Sequence, residues 1–198
     1  PVRALALGEG TLCVVREDDG QVHCLGGGLR APLSSASQGS YEAVAASHDG
    51  ACGLRTDDAT AHCWGGAPAP PAGLALRSIS GPLMGVSPFC GVHQGTGELV
   101  CWGDDALGRA NPPVGHGFRQ VTLGAGHGCA LHADGAVVCW GEDSDGQATP
   151  PAGVAFEHIS AGERHTCGVR RVDGQVACWG RDQHGEVSGA PSPDAYVE

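Results

Sequence analysis

The sequence from His165 to Gly180 reads HTCGVRRVDGQVACWG, and its pattern decides the fold of the whole chain. Two short runs of alternating apolar residues flank an Asp-Gly turn, which is typical of an antiparallel β-hairpin. The segment from His127 to Gly141 repeats this arrangement as HGCALHADGAVVCWG. Nowhere does the chain show the 3.6-residue periodicity of an amphipathic helix. We therefore predict an all-β protein.

Ten cysteines recur as five pairs along the 198 residues. The first cysteines of successive pairs are 38 or 39 residues apart, and the partners within a pair are 10 or 11 residues apart. A fixed period of this length is typical of a propeller, solenoid or array of like modules. We predict a single domain of five repeats at approximately residues 1–40, 41–75, 76–117, 118–155 and 156–194. Residues 195–198 are predicted to begin a further strand or to form a closing tail.

The register of the predicted hairpins brings the two cysteines of each repeat together. Pairing Leu131 with Val137 places Cys129 directly opposite Cys139, close enough for a disulfide bond. The predicted bonds are Cys13–Cys24, Cys52–Cys63, Cys90–Cys101, Cys129–Cys139 and Cys167–Cys178. Since disulfides persist in oxidising compartments, this pattern predicts a secreted protein, extracellular or periplasmic.

Tryptophans follow the second cysteine in four of the repeats, at Trp64, Trp102, Trp140 and Trp179. Adjacent residues of a strand point to opposite faces, so both faces of these hairpins are apolar. Such a sheet must pack between neighbours, as the blades of a propeller do. We assign the tryptophans to the structural core. Leu25 takes this place in the first repeat, which makes that blade atypical.

The fifth repeat also contains Gly162-x-x-His165, an Asp-Gly turn, Trp179-Gly180 and Asp182-x-x-Gly185, and these elements recur in register along the chain. In this the sequence resembles the regulator of chromosome condensation repeat family. The resemblance implies a β-propeller with four-stranded blades. We therefore expect five four-stranded blades of about 38–39 residues with one disulfide in each. Better-known members of the family have seven blades, so closure by five blades alone and membership of a longer array both stay open.

Members of this family include a nucleotide exchange factor for a small GTPase and secreted bacterial inhibitors of β-lactamases. The segment from Gly146 to Gly153, GQATPPAG, is more similar to the bacterial inhibitors. The resemblance therefore implies a secreted bacterial protein that works by binding another protein.

Charge argues against several classes of partner. The formal net charge is −11, and the chain contains no basic stripe. Phosphate backbones and anionic membrane surfaces repel such a chain, so we expect no nucleic-acid partner. Since no run of 18 apolar residues is present, we also expect no membrane insertion.

Chemical motifs are weak throughout the sequence. The cysteine spacing does not fit a zinc site, and no His-Glu-x-x-His or Gly-x-Ser-x-Gly motif occurs. Asp143-x-Asp145-Gly146 resembles the start of a calcium loop, but the later carboxylates are missing. We assign His127 and His165 to hydrogen bonding with loop backbone. We expect no cofactor, no metal and no catalytic residue, although a propeller could still assemble acidic groups around its axis.

One loop departs from the repeat. The chain lacks the Asp-x-x-Gly turn between Trp64 and Pro70 and gains four residues between Gly81 and Cys90. The gained loop carries the candidate binding residues Met84, Pro88 and Phe89. Exposed apolar anchors of this kind mark partner sites. Alternatively, the loop folds over the vacancy left by the missing turn.

These features predict a protein-recognition module. The alternatives are a glycan-binding lectin with one pocket per blade and a structural segment of a larger surface protein. An enzyme is less favoured.

Overall fold

The computed structural model describes residues 1–26, 39–85, 88–105 and 108–190. These ranges contain strands and turns but no helix, and so none long and apolar enough to cross a membrane. The strands are β1 (Val2–Gly8), β2 (Thr11–Arg16), β3 (Val22–Gly26), β4 (Tyr41–Ala46), β5 (Gly50–Arg55), β6 (Ala61–Gly65), β7 (Leu76–Ser80), β8 (Phe89–His93), β9 (Leu99–Trp102), β10 (Phe118–Leu123), β11 (His127–His132), β12 (Val137–Gly141), β13 (Phe156–Ala161), β14 (His165–Arg170) and β15 (Val176–Gly180).

Five antiparallel sheets of three consecutive strands form the blades, numbered 1 to 5 along the chain. The all-β fold and the five blades are confirmed, but the predicted count of four strands per blade is wrong. In blades 2, 3 and 4, proline pairs follow the third strand at 70–71, 112–113 and 150–151. Proline has no N–H group to donate to a ladder, so these segments run as linkers and turns. The predicted strand or tail at 195–198 lies outside the described residues.

All five predicted disulfides are present, and each joins directly opposed residues of the second and third strands of its blade. In blade 4, Cys129 is opposite Cys139 and Leu131 is opposite Val137, as the register predicts. No cysteine is free. The bond therefore lies on one face of each blade, which we call the disulfide face.

The opposite face carries the tryptophan, or Leu25 in blade 1, and we call it the aromatic face. At each of the four internal interfaces, the disulfide face of one blade packs on the aromatic face of the next. Between blades 4 and 5, Cys129 and Leu131 contact Phe156, Ile159 and Trp179. Equivalent residues form the other three apolar clusters. The core is thus divided into layers between blades.

A bulge near the start of the first strand makes this packing possible. In blade 5, Phe156 is opposite Arg170 but His158 is opposite Val169, so one extra residue is inserted. The insertion brings Phe156 and Ile159 to the same aromatic face, although they are three positions apart. The same register shift occurs in the other four blades.

The tryptophans also join consecutive blades by hydrogen bonds. The indole N–H of Trp102 donates to the carbonyl of Pro68 at 3.1 Å, and that of Trp179 donates to the carbonyl of Gln147 at 3.1 Å. Trp140 makes the equivalent bond to Arg109 at 2.8 Å. Each of these indole rings therefore packs in the interface between two blades, and its N–H group has a hydrogen-bond partner there.

Removal of one disulfide tests the contribution of these bonds. Replacing Cys129 and Cys139 together by alanine should lower the free energy of unfolding by about 2–3 kcal/mol, because the unfolded chain loses the constraint on a short loop. Urea unfolding of the oxidised double variant beside the parent measures this difference. An unchanged midpoint and slope would show that the bond does not stabilise the blade.

A buried histidine makes stability depend on pH. His127 Nε2 lies 2.7 Å from Thr166 Oγ1 in the interface between blades 4 and 5. Burial lowers the pKa of His127 to about 4, with His165 lowering it further and Glu142 opposing the shift. Below the ordinary histidine pKa of about 6.5, the His127 side chain is protonated in the unfolded chain but stays neutral in the folded protein until the pH nears 4. The free energy of unfolding should therefore fall by about 3 kcal/mol between pH 6.5 and pH 4.

Denaturant unfolding at a series of pH values measures this slope. His127→Gln should flatten the dependence on pH in this window. His184→Gln is the matched control, since the side chain of His184 is 81% exposed. Equal slopes in the parent and the His127 variant would contradict the assignment.

Candidate functional site

The first strands of all five blades line one cavity of about 310 Å³ on the axis of the arrangement, which we call the axial mouth. It lies at the ends of these strands, where the chain turns into the loops that lead to the second strands. Its lining comprises Leu5, Ala6, Leu7, Val44, Ala45, Ala46, Ile79, Ser80, Gly81, Leu83, Thr122, Leu123, Ser160 and Ala161.

Two of the polar side chains in this wall are already engaged with neighbouring blades. The N–H of Leu123 donates to Ser80 Oγ at 3.0 Å, and the N–H of Ala161 donates to Thr122 Oγ1 at 2.9 Å. These bonds join the first strands of successive blades. Most of the lining side chains are aliphatic, but about half of the accessible wall is polar. The axial mouth therefore suits an apolar side chain flanked by polar groups.

Met84 lies in the loop after β7, directly after Leu83 of the axial mouth, and its exposed fraction is 43%. The loop rests on blade 2, because the N–H of His48 donates to the carbonyl of Gly85 at 3.0 Å. Thr11 Oγ1 in turn donates to the carbonyl of His48 at 3.1 Å. Met84 is therefore presented by a loop that hydrogen bonds hold at this end of the axis.

The other two candidate binding residues, Pro88 and Phe89, lie in the core. Phe89 is fully buried, stacks on Trp102 with ring centroids 6.2 Å apart, and packs with Leu54 of blade 2. It is directly opposite Trp102 in the hairpin, on the aromatic face. A partner of the folded protein thus reaches Met84 alone among the three predicted residues.

Acidic groups outnumber basic ones in the loops at this end of the blades. The described loops that leave the strands at this end carry ten carboxylates and three arginines. They are Glu9, Asp49, Asp104, Asp105, Glu142, Asp143, Asp145, Glu163, Asp182 and Glu186, with Arg109, Arg164 and Arg181. Arg164 is paired with Glu142 at 2.5 Å and with Asp145 at 3.0 Å. The end of the blades that holds the axial mouth is therefore negatively charged.

The repeated aspartates of the Asp-x-x-Gly turns accept hydrogen bonds from backbone N–H groups of the same turns. Asp143 accepts hydrogen bonds from the N–H of Ala148 and the hydroxyl of Thr149, both at 2.7 Å. Asp182 accepts bonds from two backbone N–H groups, and these lower its pKa. Within the described ranges, no three His, Cys, Asp or Glu side chains are grouped to hold a metal ion. The calcium-like sequence at Asp143 is thus part of a turn.

Two segments match a known family model. Residues 118–147 and 156–186 match the Regulator of chromosome condensation (RCC1) repeat. No curated protein sequence matches the chain.

Several solved structures share the fold. The ectodomain of the receptor kinase CR4 from Physcomitrella patens aligns with a TM-score of 0.79 and 26% identity, over 91% of this chain and 52% of that one. The CRINKLY WD40 ectodomain of the Arabidopsis thaliana receptor kinase ACR4 aligns with a TM-score of 0.69 and 25% identity, over 89% of this chain and 64% of that one. Prp20p from Saccharomyces cerevisiae aligns with a TM-score of 0.73 and 17% identity, over 98% of this chain and 60% of that one.

This chain therefore spans less than two thirds of each of these proteins. The family match covers the strands of blades 4 and 5. Blades 4 and 5 match the RCC1 repeat model, and the resemblance of the chain to the regulator of chromosome condensation repeat family is confirmed.

Proposed function

We propose that this protein is an extracellular recognition module whose axial mouth, together with Met84, receives an apolar side chain from a protein partner. The observation that carries the proposal is a cavity of about 310 Å³ with mainly aliphatic lining side chains, followed in the chain after its lining residue Leu83 by the exposed Met84. Exposed apolar groups with a polar rim are typical of protein-binding sites. Methionine suits such a site because its flexible side chain adapts to the surface it meets.

The charge around the mouth indicates what kind of partner fits. Ten carboxylates against three arginines favour a segment with lysine or arginine beside its apolar anchor. Complementary charge of this kind speeds encounter, while burial of the anchor supplies most of the binding free energy. We therefore propose an exposed, basic loop or peptide as the partner's contact.

Related structures support two parts of this proposal, which are the binding of a protein partner and an extracellular location. Yeast RCC1 (Prp20) is bound to Kap60, and Prp20p has binding properties to Gsp1p and histones. The two plant relatives are ectodomains of receptor kinases. Five disulfides with no free cysteine suit this protein to an oxidising compartment outside the cytosol.

Selection from a displayed library of random peptides tests the proposed site. Peptides retained by the full chain should contain an apolar residue flanked by lysine or arginine. Met84→Ser should weaken their binding about tenfold, since removal of a buried anchor costs more than 1 kcal/mol. Raising the salt to about 0.5 M should weaken binding further, because it screens the acidic rim.

The matched control is Val172→Ser. Val172 is 81% exposed and lies in the turn after β14, at the opposite end of the blade from the axial mouth. Isothermal titration of a selected peptide into the parent and into each variant distinguishes binding at the axial mouth from binding at the opposite end of the blades. Equal affinities for the parent and Met84→Ser, or selected peptides without basic residues, would argue against this site.

A further inference from the structure

A cavity of about 510 Å³ lies beside the outer strand of blade 4, and we call it the linker cleft. It is lined by Asp134, Ala136, Val137 and residues 150–156. The first three belong to the turn before β12 and to the start of that strand, and the others belong to the linker into blade 5. Blade 4 packs against blade 3 on one face and blade 5 on the other, so the cleft lies within the described array.

The equivalent gap in blade 2 is closed. The two linkers have nearly the same sequence, PPAGLAL after blade 2 and PPAGVAF after blade 4. In blade 2, Thr60 before the third strand forms an isolated β-bridge with Ala75 of the linker. The counterparts in blade 4, Ala136 and Ala155, form no such bridge, and both line the linker cleft. The hairpin of blade 4 is also one residue shorter, since its cysteines are 10 rather than 11 residues apart.

The outer edge of β12 carries unpaired main-chain groups. Cys129 and Cys139 are directly opposed with Cα atoms 4.0 Å apart, which is the short spacing of a non-hydrogen-bonded pair. The N–H and C=O groups of Cys139, and of Val137 two positions earlier, therefore point away from β11. No described residue forms a hydrogen bond with these groups. Val138 between them is 40% exposed. This edge of blade 4 is thus open to a further strand.

The wall of the linker cleft suits a peptide main chain. Nearly half of its accessible wall is polar, yet Asp134 is the only lining residue with a polar side chain. Main-chain groups therefore supply much of the polar wall, and small or apolar side chains supply the rest. An extended peptide matches both parts, because it carries an N–H and a C=O at almost every residue and alternates its side chains between two directions.

The charge at the cleft favours a basic segment. Asp134 is the only charged lining residue, and its side chain is 68% exposed. Arg171 donates to the main-chain carbonyl of Asp134 at 2.8 Å, but its guanidinium is paired with Glu157 at 3.2 Å. The whole chain carries a formal net charge of −11. A segment that places lysine or arginine near Asp134 therefore has the complementary charge.

We propose that the linker cleft binds one extended, basic segment of a protein partner, which pairs with β12 as a fourth strand of blade 4. Alternate residues of the segment bond to the N–H and C=O groups of Val137 and Cys139. Side chains on one side of the segment enter the cleft. Main-chain bonds supply affinity in this mode of binding, and the pockets for side chains supply specificity.

This site is separate from the axial mouth. The linker cleft lies at the turn between β11 and β12, whereas the axial mouth lies at the other end of the blades. The two cavities share no lining residue.

Selection from a displayed library of random peptides tests the proposal. The bait is the full chain carrying Met84→Ser, which weakens contacts at the axial mouth. Retained peptides should alternate apolar and polar residues and contain lysine or arginine. Val137→Pro in the same background should weaken their binding about tenfold, because it removes an outward N–H but no hydrogen bond to β11. Isothermal titration of a selected peptide measures this change.

Ala61→Pro is the matched control. Ala61 has the same register position at the start of β6 in blade 2, where the β-bridge closes the linker onto the strand. This variant should bind the selected peptide like the bait. Ala152→Arg is a second blocking variant that leaves β12 unchanged, because Ala152 is an exposed linker residue. Its cation should also weaken binding about tenfold. Near-ultraviolet circular dichroism confirms that each variant is folded.

Methylation of the peptide's main-chain nitrogens distinguishes strand pairing from binding by side chains alone. Methyl groups on alternate residues block one hydrogen-bonding edge of an extended peptide and leave the other edge free. One alternating set should abolish binding and the other should retain it, since only one edge faces β12.

Four outcomes overturn the proposal. The first is that no retained peptide loses affinity with Val137→Pro or Ala152→Arg. The second is an equal effect of the two methylated sets, and the third is an equal loss with Ala61→Pro. The fourth is self-association of the parent that Val137→Pro abolishes, because a second copy would then occupy the edge. Restoring Met84 should leave the affinity unchanged. A peptide whose affinity depends on Met84 and not on Val137 would support the axial mouth and contradict the linker cleft.

Discussion

The structure depends on one constraint, which is that each hairpin has two apolar faces and can bury both only between neighbours. The opposed cysteines place a disulfide on one face, and the tryptophan next to the second cysteine occupies the other. A three-stranded sheet of this size has little core of its own. Cohesion therefore comes from layers between blades, each built from the disulfide of one blade and the aromatic side chains of the next. The disulfide stiffens the hairpin that the next aromatic side chains pack against.

The sequence predicts those features that depend on local register. Cysteines 10 or 11 residues apart around a short turn can meet only if the hairpin pairs them directly, and all five pairs do so. The pair Cys129–Cys139 is one residue closer in sequence, yet its register matches that of Cys167–Cys178, because the turn absorbs the difference. The number of strands per blade came from family resemblance and was wrong. The proline pairs after the third strands of blades 2, 3 and 4 carried the signal against a fourth strand.

The candidate site was harder to predict, since exposure depends on contacts between blades. Phe89 precedes Cys90 directly, so the alternation of a strand places it on the aromatic face, where Trp102 and the preceding blade bury it. Counting back one residue from the cysteine would have found this. The axial mouth had no sequence signal, because its lining comes from five strands far apart in the chain, and two of its polar side chains, Ser80 and Thr122, are engaged by adjacent blades. Met84 was predictable only as a large apolar residue in a loop that breaks the repeat.

The apolar composition of both hairpin faces also explains the two outer faces, which are the aromatic face of blade 1 and the disulfide face of blade 5. Here the end faces keep the composition of inner faces: four large aliphatic residues on blade 1 are more than half exposed, and a nearly apolar groove lies on blade 5. These two faces therefore have the same apolar composition as the faces that are buried between blades, since every hairpin of the repeat carries its apolar residues on both sides.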